Sequence, residues 1–356
     1  MKRLDLPLLS IILILTLFGL LMVYDSSSVM AYNIYGDNYA YVKDQLLWMF
    51  LGWGVLIFFA IFDYKRFYNL ALPLLLVALG MLILVFLPGI GSSAKGASRW
   101  VDLGIVRFQP AEFVKLALAI YLAAWFSHKE KGRLLAFSLL LGAVLLLIML
   151  EPDMGTASIV LFEAVMVYFL SGGNMMHFLV GMPIVGILGF ILIKIEPYRA
   201  ARLTGFLEVG GSLENVSYHI KQILIALGSG GLFGLGLGNS LQKYAYLPEN
   251  VTDSIFPIIA EEFGFIGGVG LILLFVLFVW RGLFIATRAK DTFGKLLAGG
   301  IVSFIGIQAV INLGAMTALF PLTGVPLPFI SYGGSALIID MAAIGILFSI
   351  AKQSKQ

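Results

Sequence analysis

The chain has 356 residues, of which 60% are hydrophobic and only 12% charged, and its mean hydropathy is +0.99. That balance excludes a water-soluble globular protein, and apolar runs that are continuous instead of alternating exclude an outer-membrane barrel. No cysteine is present, so disulfides, a thiol nucleophile and cysteine metal sites are excluded, and the net charge of +3 matters less than where the charges fall.

Membrane-length apolar segments lie near residues 7–24, 45–62, 69–88, 110–127, 134–150, 155–170, 178–194, 256–280, 296–318 and 336–351. They predict an all-α integral membrane protein. The expected fold is one polytopic domain over 1–356, a bundle of about ten transmembrane helices with one long extracytoplasmic loop over 195–255, between spans seven and eight. The first segment follows Lys2 and Arg3, as a signal peptide would, but no small-residue cleavage site closes it; it reads as an uncleaved helix.

Short connections after spans two, four and eight carry Lys65 and Arg66; Lys129, Lys131 and Arg133; and Arg281, Arg288, Lys290 and Lys295. With Lys2, Arg3, Lys352 and Lys355 they place 13 of the 23 basic residues on one side, so both termini are expected in the cytoplasm. The opposite loops hold fewer but less expected charges. GIGSSAKGASRWVDLGIVRFQP, between spans three and four, puts Lys95, Arg99 and Arg107 where basic residues are disfavoured, which suggests an anionic partner. Contact with lipid headgroups is the alternative, and Trp100 suits the same interface.

The 195–255 connection is long enough to be functional or disordered, and its content argues against disorder. YHIKQILIALG is spaced for an amphipathic helix lying on the membrane, and YRAARLTGFL sets Arg199 and Arg202 three apart on one helical face. Within the spans, Glu112 and Lys115 are spaced to pair. Glu163, Glu261, Glu262, Gln308, Asn312 and Asp340 mark a polar bundle interior, either functional or as contacts between helices.

Most of the available chemistry sits between Tyr218 and Gly264. Six glycines between Gly228 and Gly238 could offer amides to a pyrophosphate, but close packing or a turn is the preferred reading. Asp253 lies at the water boundary before span eight, where it is either a general base or a helix cap; the residues alone leave both open. With Arg107, Arg199, Arg202, Lys95 and Lys243 as cations, the set fits transfer of a sugar from a lipid pyrophosphate carrier. A transporter of an anionic lipid fits nearly as well.

Three runs carry a resemblance: PLTGVPLPFISYGGSA (Pro321 to Ala336, preceded by Asn312), GASRWVDLGIVRFQPAEFVKLA (Gly96 to Ala117) and QKYAYLPENVTDSIFPIIAEEFGFIG (Gln242 to Gly267). EPDMGTA (Glu151 to Ala157) adds a shorter one. In content and order these resemble the shape, elongation, division and sporulation family. The resemblance implies a peptidoglycan glycosyltransferase that polymerises lipid II at the outer face of the cytoplasmic membrane and releases undecaprenyl pyrophosphate. It implies that Asp253 is catalytic, and the expected substrate-binding residues are Arg99, Arg107, Glu112, Lys115, Arg199, Arg202, Lys243, Glu249 and Ser331.

Expected partners are lipid II, the lipid-linked glycan chain, membrane lipids and a class B penicillin-binding protein, with no nucleic acid. No certain cofactor is expected. Glu151, Asp153 and Glu249 could supply oxygens to a divalent cation such as magnesium, whereas the scattered His128, His177 and His219 argue against a histidine metal site. Val251 and Ser254 depart from the histidine and phenylalanine usual in the family beside the Thr-Asp pair. GNSLQK (Gly238 to Lys243) resembles the division-type branch and the short N-terminal segment the elongation-type; the reading leans to elongation. The competing functions are a lipid II flippase and a non-catalytic scaffold for the penicillin-binding protein, with a lipid-linked sugar ligase more distant.

Overall fold

The computed structural model describes residues 5–354 apart from 88–90, 95–96, 103, 105–106, 129–131, 196, 208–216 and 245. Helices form at every predicted span: α1 (Leu6–Tyr35), α2 (Ala40–Ile61), α3 (Arg66–Leu84), α4 (Pro110–Phe126), α5 (Leu134–Leu150), α6 (Met154–Leu170), α7 (Met175–Ile195), α10 (Ile255–Arg288), α11 (Thr292–Ala315) and α12 (Gly334–Gln353). Among the described residues six of them, α1, α2, α3, α10, α11 and α12, are long and apolar enough to cross a membrane. The long connection holds two further helices, α8 (Pro197–Leu207) and α9 (Tyr218–Ser229). One feature departs from an all-α expectation. Between α3 and α4, β1 (Gly91–Ala94), β2 (Ala97–Asp102) and β3 (Arg107–Phe108) form a small antiparallel sheet.

Helix starts follow local chemistry. Asp5, Asp153 and Asp291 accept bonds from the amides of Leu8, Thr156 and Gly294 at 3.1, 3.0 and 2.7 Å, capping α1, α6 and α11. Pro110 opens α4 where its missing N–H costs nothing, and Gly36 closes α1 in the left-handed conformation at φ 69°. The helix α10 is broken at Gly264, whose φ of 69° and ψ of −169° no helix contains.

The most apolar stretches of α11 and α12 are each 78% buried, against 17% for α2 and 28% for α10. Thus α11 and α12 form the inner layer with α4, and the others present an apolar outer face to lipid. Side-chain bonds define two ends of the bundle. At one, Arg281 pairs with Asp5 at 2.8 Å, Tyr64 donates to Asp291 at 2.5 Å and Gln353 donates to Asp63 at 2.9 Å. The described basic residues of the predicted connections, among them Arg66 and Arg281, belong to this end. The other gathers the α1–α2 turn, the sheet, the α5–α6 corner, the segment after α9 and the 318–333 loop, and the candidate residues collect there.

Candidate active site

The capping position of α10 belongs to Ser254, which makes no side-chain cap bond; its hydroxyl instead meets His219 Nε2 at 2.8 Å. Asp253 is half-buried in a tight turn in which the amides of Thr252 and Ser254 both donate to the Glu249 carbonyl, at 3.1 and 3.0 Å. Glu249 sits at φ 54° and accepts the Thr252 hydroxyl at 3.0 Å, so it shapes the turn.

This turn is joined to the 318–333 loop by side chains whose contact is long-range in sequence. Asn312 Nδ2 donates to the Asp253 carbonyl at 2.8 Å and to the Val325 carbonyl at 2.7 Å. The Ser331 hydroxyl donates to the Thr252 carbonyl at 2.6 Å while accepting the Leu327 amide at 2.8 Å, and the Tyr332 amide donates to the Val251 carbonyl at 3.0 Å. Ser331 therefore positions the turn. Tyr332 donates to the Asp44 carboxylate, and burial followed by that bond holds its phenol well above the ordinary range.

At Gly324 the loop turns with φ 76°. A Cβ placed there would lie 3.4 Å from Asp253 Oδ2 and 3.7 and 3.8 Å from the two terminal nitrogens of Arg202. A carboxylate and a guanidinium thus face one point of bare backbone. Arg202, carried on the amphipathic α8, donates to the Leu322 carbonyl at 3.1 Å. Its neighbour one turn back, the buried Arg199, reaches the Met149 carbonyl at 3.5 Å. Arg99, within β2 of the sheet, donates to the Glu151 carbonyl at 3.0 Å and to that of Pro152. The corner these arginines grip lies against the same loop, because a Cβ on Gly155 would meet Val325 and Thr323 at 2.4 and 3.0 Å. Backbone carbonyls thus help to fix where each guanidinium lies. Arg202 reaches the same Gly324 as Asp253, while Arg99 and Arg199 hold carbonyls of the corner that packs against that loop.

The remaining predicted residues serve other places. Arg107 is exposed and pairs with Asp102 at 3.1 Å on the sheet. Lys95 lies outside the described residues. Glu112 and Lys115 do pair, at 2.8 Å, but are buried; Lys115 also donates to Gln308 at 2.5 Å, and Gln308 donates to the Pro326 carbonyl at 3.0 Å. Their reach to the site runs through the loop. Lys243 is buried too, between Asp25 at 2.9 Å and Glu262 at 3.2 Å. Burial pushes its ammonium down, and the two carboxylates outweigh that and raise it. In this arrangement it bridges two carboxylates from α1 and α10.

The glycine run is used for packing. Gly234, at φ 81°, lies where a Cβ would come within 2.0 Å of the Glu262 carbonyl, and the amides of Leu235 and Gly236 donate to the carbonyls of Glu261 and Glu262, both at 3.0 Å. The Glu261 side chain accepts the Ser229 hydroxyl at 3.1 Å, and Glu262 accepts the Ser240 amide at 3.1 Å. Those amides are committed to the break in α10, so they form no phosphate nest.

Glu151, Asp153 and Glu249 take separate places. Glu151 is fully buried behind the corner, Asp153 caps α6, Glu249 builds the turn, and no group of three or more acidic or histidine side chains among the described residues could hold a metal ion. Burial first, then Asp153, push the Glu151 carboxyl up to about 8 against the pull of Arg99.

The comparisons agree over nearly the whole chain. It is 40% identical over 361 aligned positions to stage V sporulation protein E of Bacillus subtilis, covering 99% of this chain and 98% of that one. It is 38% identical to a probable peptidoglycan glycosyltransferase FtsW of Geobacter sulfurreducens, covering 99% and 96%. Among solved structures, a chain from a peptidoglycan synthase complex that coordinates polymerization and crosslinking superposes with a TM-score of 0.81 at 27% identity, covering 99% and 98%. The rod shape determining protein RodA of Thermus thermophilus gives 0.73 at 28% identity, with coverage of 99% and 98%. The lean to the elongation-type branch gains no specific support, since these curated relatives carry sporulation and division names. The profile of the cell cycle proteins FtsW, RodA and SpoVE matches residues 6–356, and the chain belongs to that family.

Proposed function

We propose that this multi-pass membrane protein is a peptidoglycan glycosyltransferase that joins lipid II units into glycan strands, with Asp253 as its general base. The observation that carries the reading is the convergence of the Asp253 carboxylate and the Arg202 guanidinium on Gly324. Transfer of a sugar from a lipid pyrophosphate needs a base for the incoming hydroxyl and positive charge for the departing diphosphate. Asp253 takes the proton from the acceptor's N-acetylglucosamine 4-hydroxyl as that oxygen bonds to the anomeric carbon of the donor's N-acetylmuramic acid. The bond from that carbon to the pyrophosphate oxygen breaks, and undecaprenyl pyrophosphate leaves with the electron pair. Arg202, Arg199 and Arg99 bear on the charge that grows there, in a geometry already fixed by backbone carbonyls.

The basic end of the bundle is the cytoplasmic one, with both termini, by the charge bias of its short connections. Asp253 and the 195–255 connection then face outward, where the acceptor strand lies. One chain offers a polymerising centre only. A class B penicillin-binding protein supplies the crosslinking, as the likeness to a chain of a polymerising and crosslinking complex supports.

The test is strand formation from purified lipid II by the chain with its cognate class B partner. Wild type makes strands and Asp253→Asn, folded and partner-bound, makes none. Equal strand formation by both removes Asp253 from the chemistry. Lipid II movement across vesicles without any strands, lost in neither protein, returns the chain to the transporter class.

A further inference from the structure

The proposed reaction leaves one group of ionisable side chains unused. Inside the bundle, Glu112 and Lys115 on α4, Glu163 on α6 and Asp340 on α12 are all buried, with Lys115, Glu163 and Asp340 at 0% exposure. Lys115 pairs with Glu112 at 2.8 Å. None of the four oxygens of Glu163 and Asp340 has a hydrogen-bond partner among the protein atoms. Lys115 is the cation that acts on both, and Glu112 acts on Asp340 as well.

Among the described residues no second cation acts on Glu163 or Asp340: Lys295 lies in the first turn of α11 and Lys352 in the last turn of α12. Gln308 is the polar neighbour on α11, and α5 is uncharged. Charges on the other packed helices are distant or engaged: Arg66 at the start of α3 stacks over Phe62; Lys43 and Asp44 at the start of α2 meet Asp37 and Tyr332; on α10, Glu261 and Glu262 bind the 229–243 segment, Arg281 pairs with Asp5 and Arg288 stacks over Phe284.

Three carboxylates around one ammonium would leave a charge of −2 in a region of low dielectric, which burial strongly opposes. One proton on each unpartnered carboxyl brings the cluster to zero and leaves the Glu112–Lys115 pair intact. No described acidic or histidine group of three is placed to hold a metal ion instead. We propose that Glu163 and Asp340 close round the Glu112–Lys115 pair as a proton-binding centre that holds two protons at neutral pH. The centre is tied to the active-site loop, because Lys115 donates to Gln308 and Gln308 to Pro326. Its existence does not depend on glycosyl transfer.

The experiment reads protonation directly. Infrared difference spectra of the purified full-length chain, in water and heavy water, report the carbonyl stretch of protonated carboxyls. At neutral pH, Glu163→Gln and Asp340→Asn each remove one such band, and in wild type both bands disappear only on raising the pH. Glu151→Gln removes a separate band and so identifies that contribution. The two amide variants keep the wild-type thermal midpoint at neutral pH, because an amide reproduces a neutral acid. Spectra unchanged by both substitutions overturn the proposal, as does a wild type with no protonated-carboxyl band at neutral pH. Bands that appear only after sodium and potassium are removed also overturn it and make the resident ion an alkali cation. If an amide variant does not fold, the wild-type pH titration alone decides.

Discussion

Replacing Gly324 by alanine separates backbone strain from occupation of the site. At φ 76° an alanine pays the left-handed penalty, about 1–2 kcal/mol. The new methyl would make ordinary contact with Asp253 Oδ2 at 3.4 Å and with the Arg202 nitrogens at 3.7 and 3.8 Å. It collides with nothing. It fills the space in which a hydroxyl would meet the carboxylate beside the cation. Gly36 supplies the control, because it has a similar φ of 69° and nothing within 4 Å of its Cβ position. Both alanine variants should therefore lose about the same stability, read as the thermal midpoint of the detergent-solubilised chain. Strand formation per folded molecule should fall about tenfold or more in Gly324→Ala, equivalent to about 1.4 kcal/mol in the barrier, and stay at the wild-type level in Gly36→Ala. Unchanged turnover in Gly324→Ala refutes the placement of the reacting oxygen, and an equal loss in Gly36→Ala shows that the effect is strain alone.

Lys243→Met leaves Asp25 and Glu262 buried without their cation, so stability should fall by about 3–5 kcal/mol, measured by denaturation. A variant with an unchanged midpoint and no strand formation would restore Lys243 to the substrate. Ser331→Ala removes the hydroxyl that joins the Leu327 amide to the Thr252 carbonyl and should cost about 1–3 kcal/mol, with strand formation reduced and Ser331→Thr restoring part of both. Glu151 has a carboxyl pushed from 4.5 to about 8, so the folded chain binds its proton more tightly than the unfolded chain does. Its contribution to stability is full below pH 4.5 and is lost as pH rises towards 8; Glu151→Gln should flatten the thermal midpoint over that window, and a slope identical to wild type would show that the carboxyl is already ionised.

The helices were legible because apolar composition over some twenty residues is a local property. The sheet was not, since strands such as Gly91–Ala94 and Arg107–Phe108 are too short to show a period and are held by their partners. The Arg199–Arg202 face was readable from its spacing, and so was the Glu112–Lys115 pair. What spacing could not give was the destination of each charge. Lys243 sits in the same motif as Asp253, yet its partner Asp25 is 218 residues away, a contact that no local spacing can foretell.

Gly324 shows the same limit from the other direction. A glycine in LTGVP carries no chemistry of its own, and its importance arises only when α8 and the turn after α9 both arrive at it. The polar residues inside the bundle sort on similar grounds. Gln308 and Asn312 lie four apart on α11, one turn of helix, and hold the consecutive carbonyls of Pro326 and Val325. Asn312 continues to the Asp253 backbone, whereas Gln308 continues to Lys115 and the buried carboxyls. One face of a single inner helix thus carries the active-site turn at one level and the charged interior one turn below it. A change in the interior charge that moves Gln308 must therefore act on the loop that carries Gly324, which makes α11 the element through which the buried cluster and the site are mechanically joined.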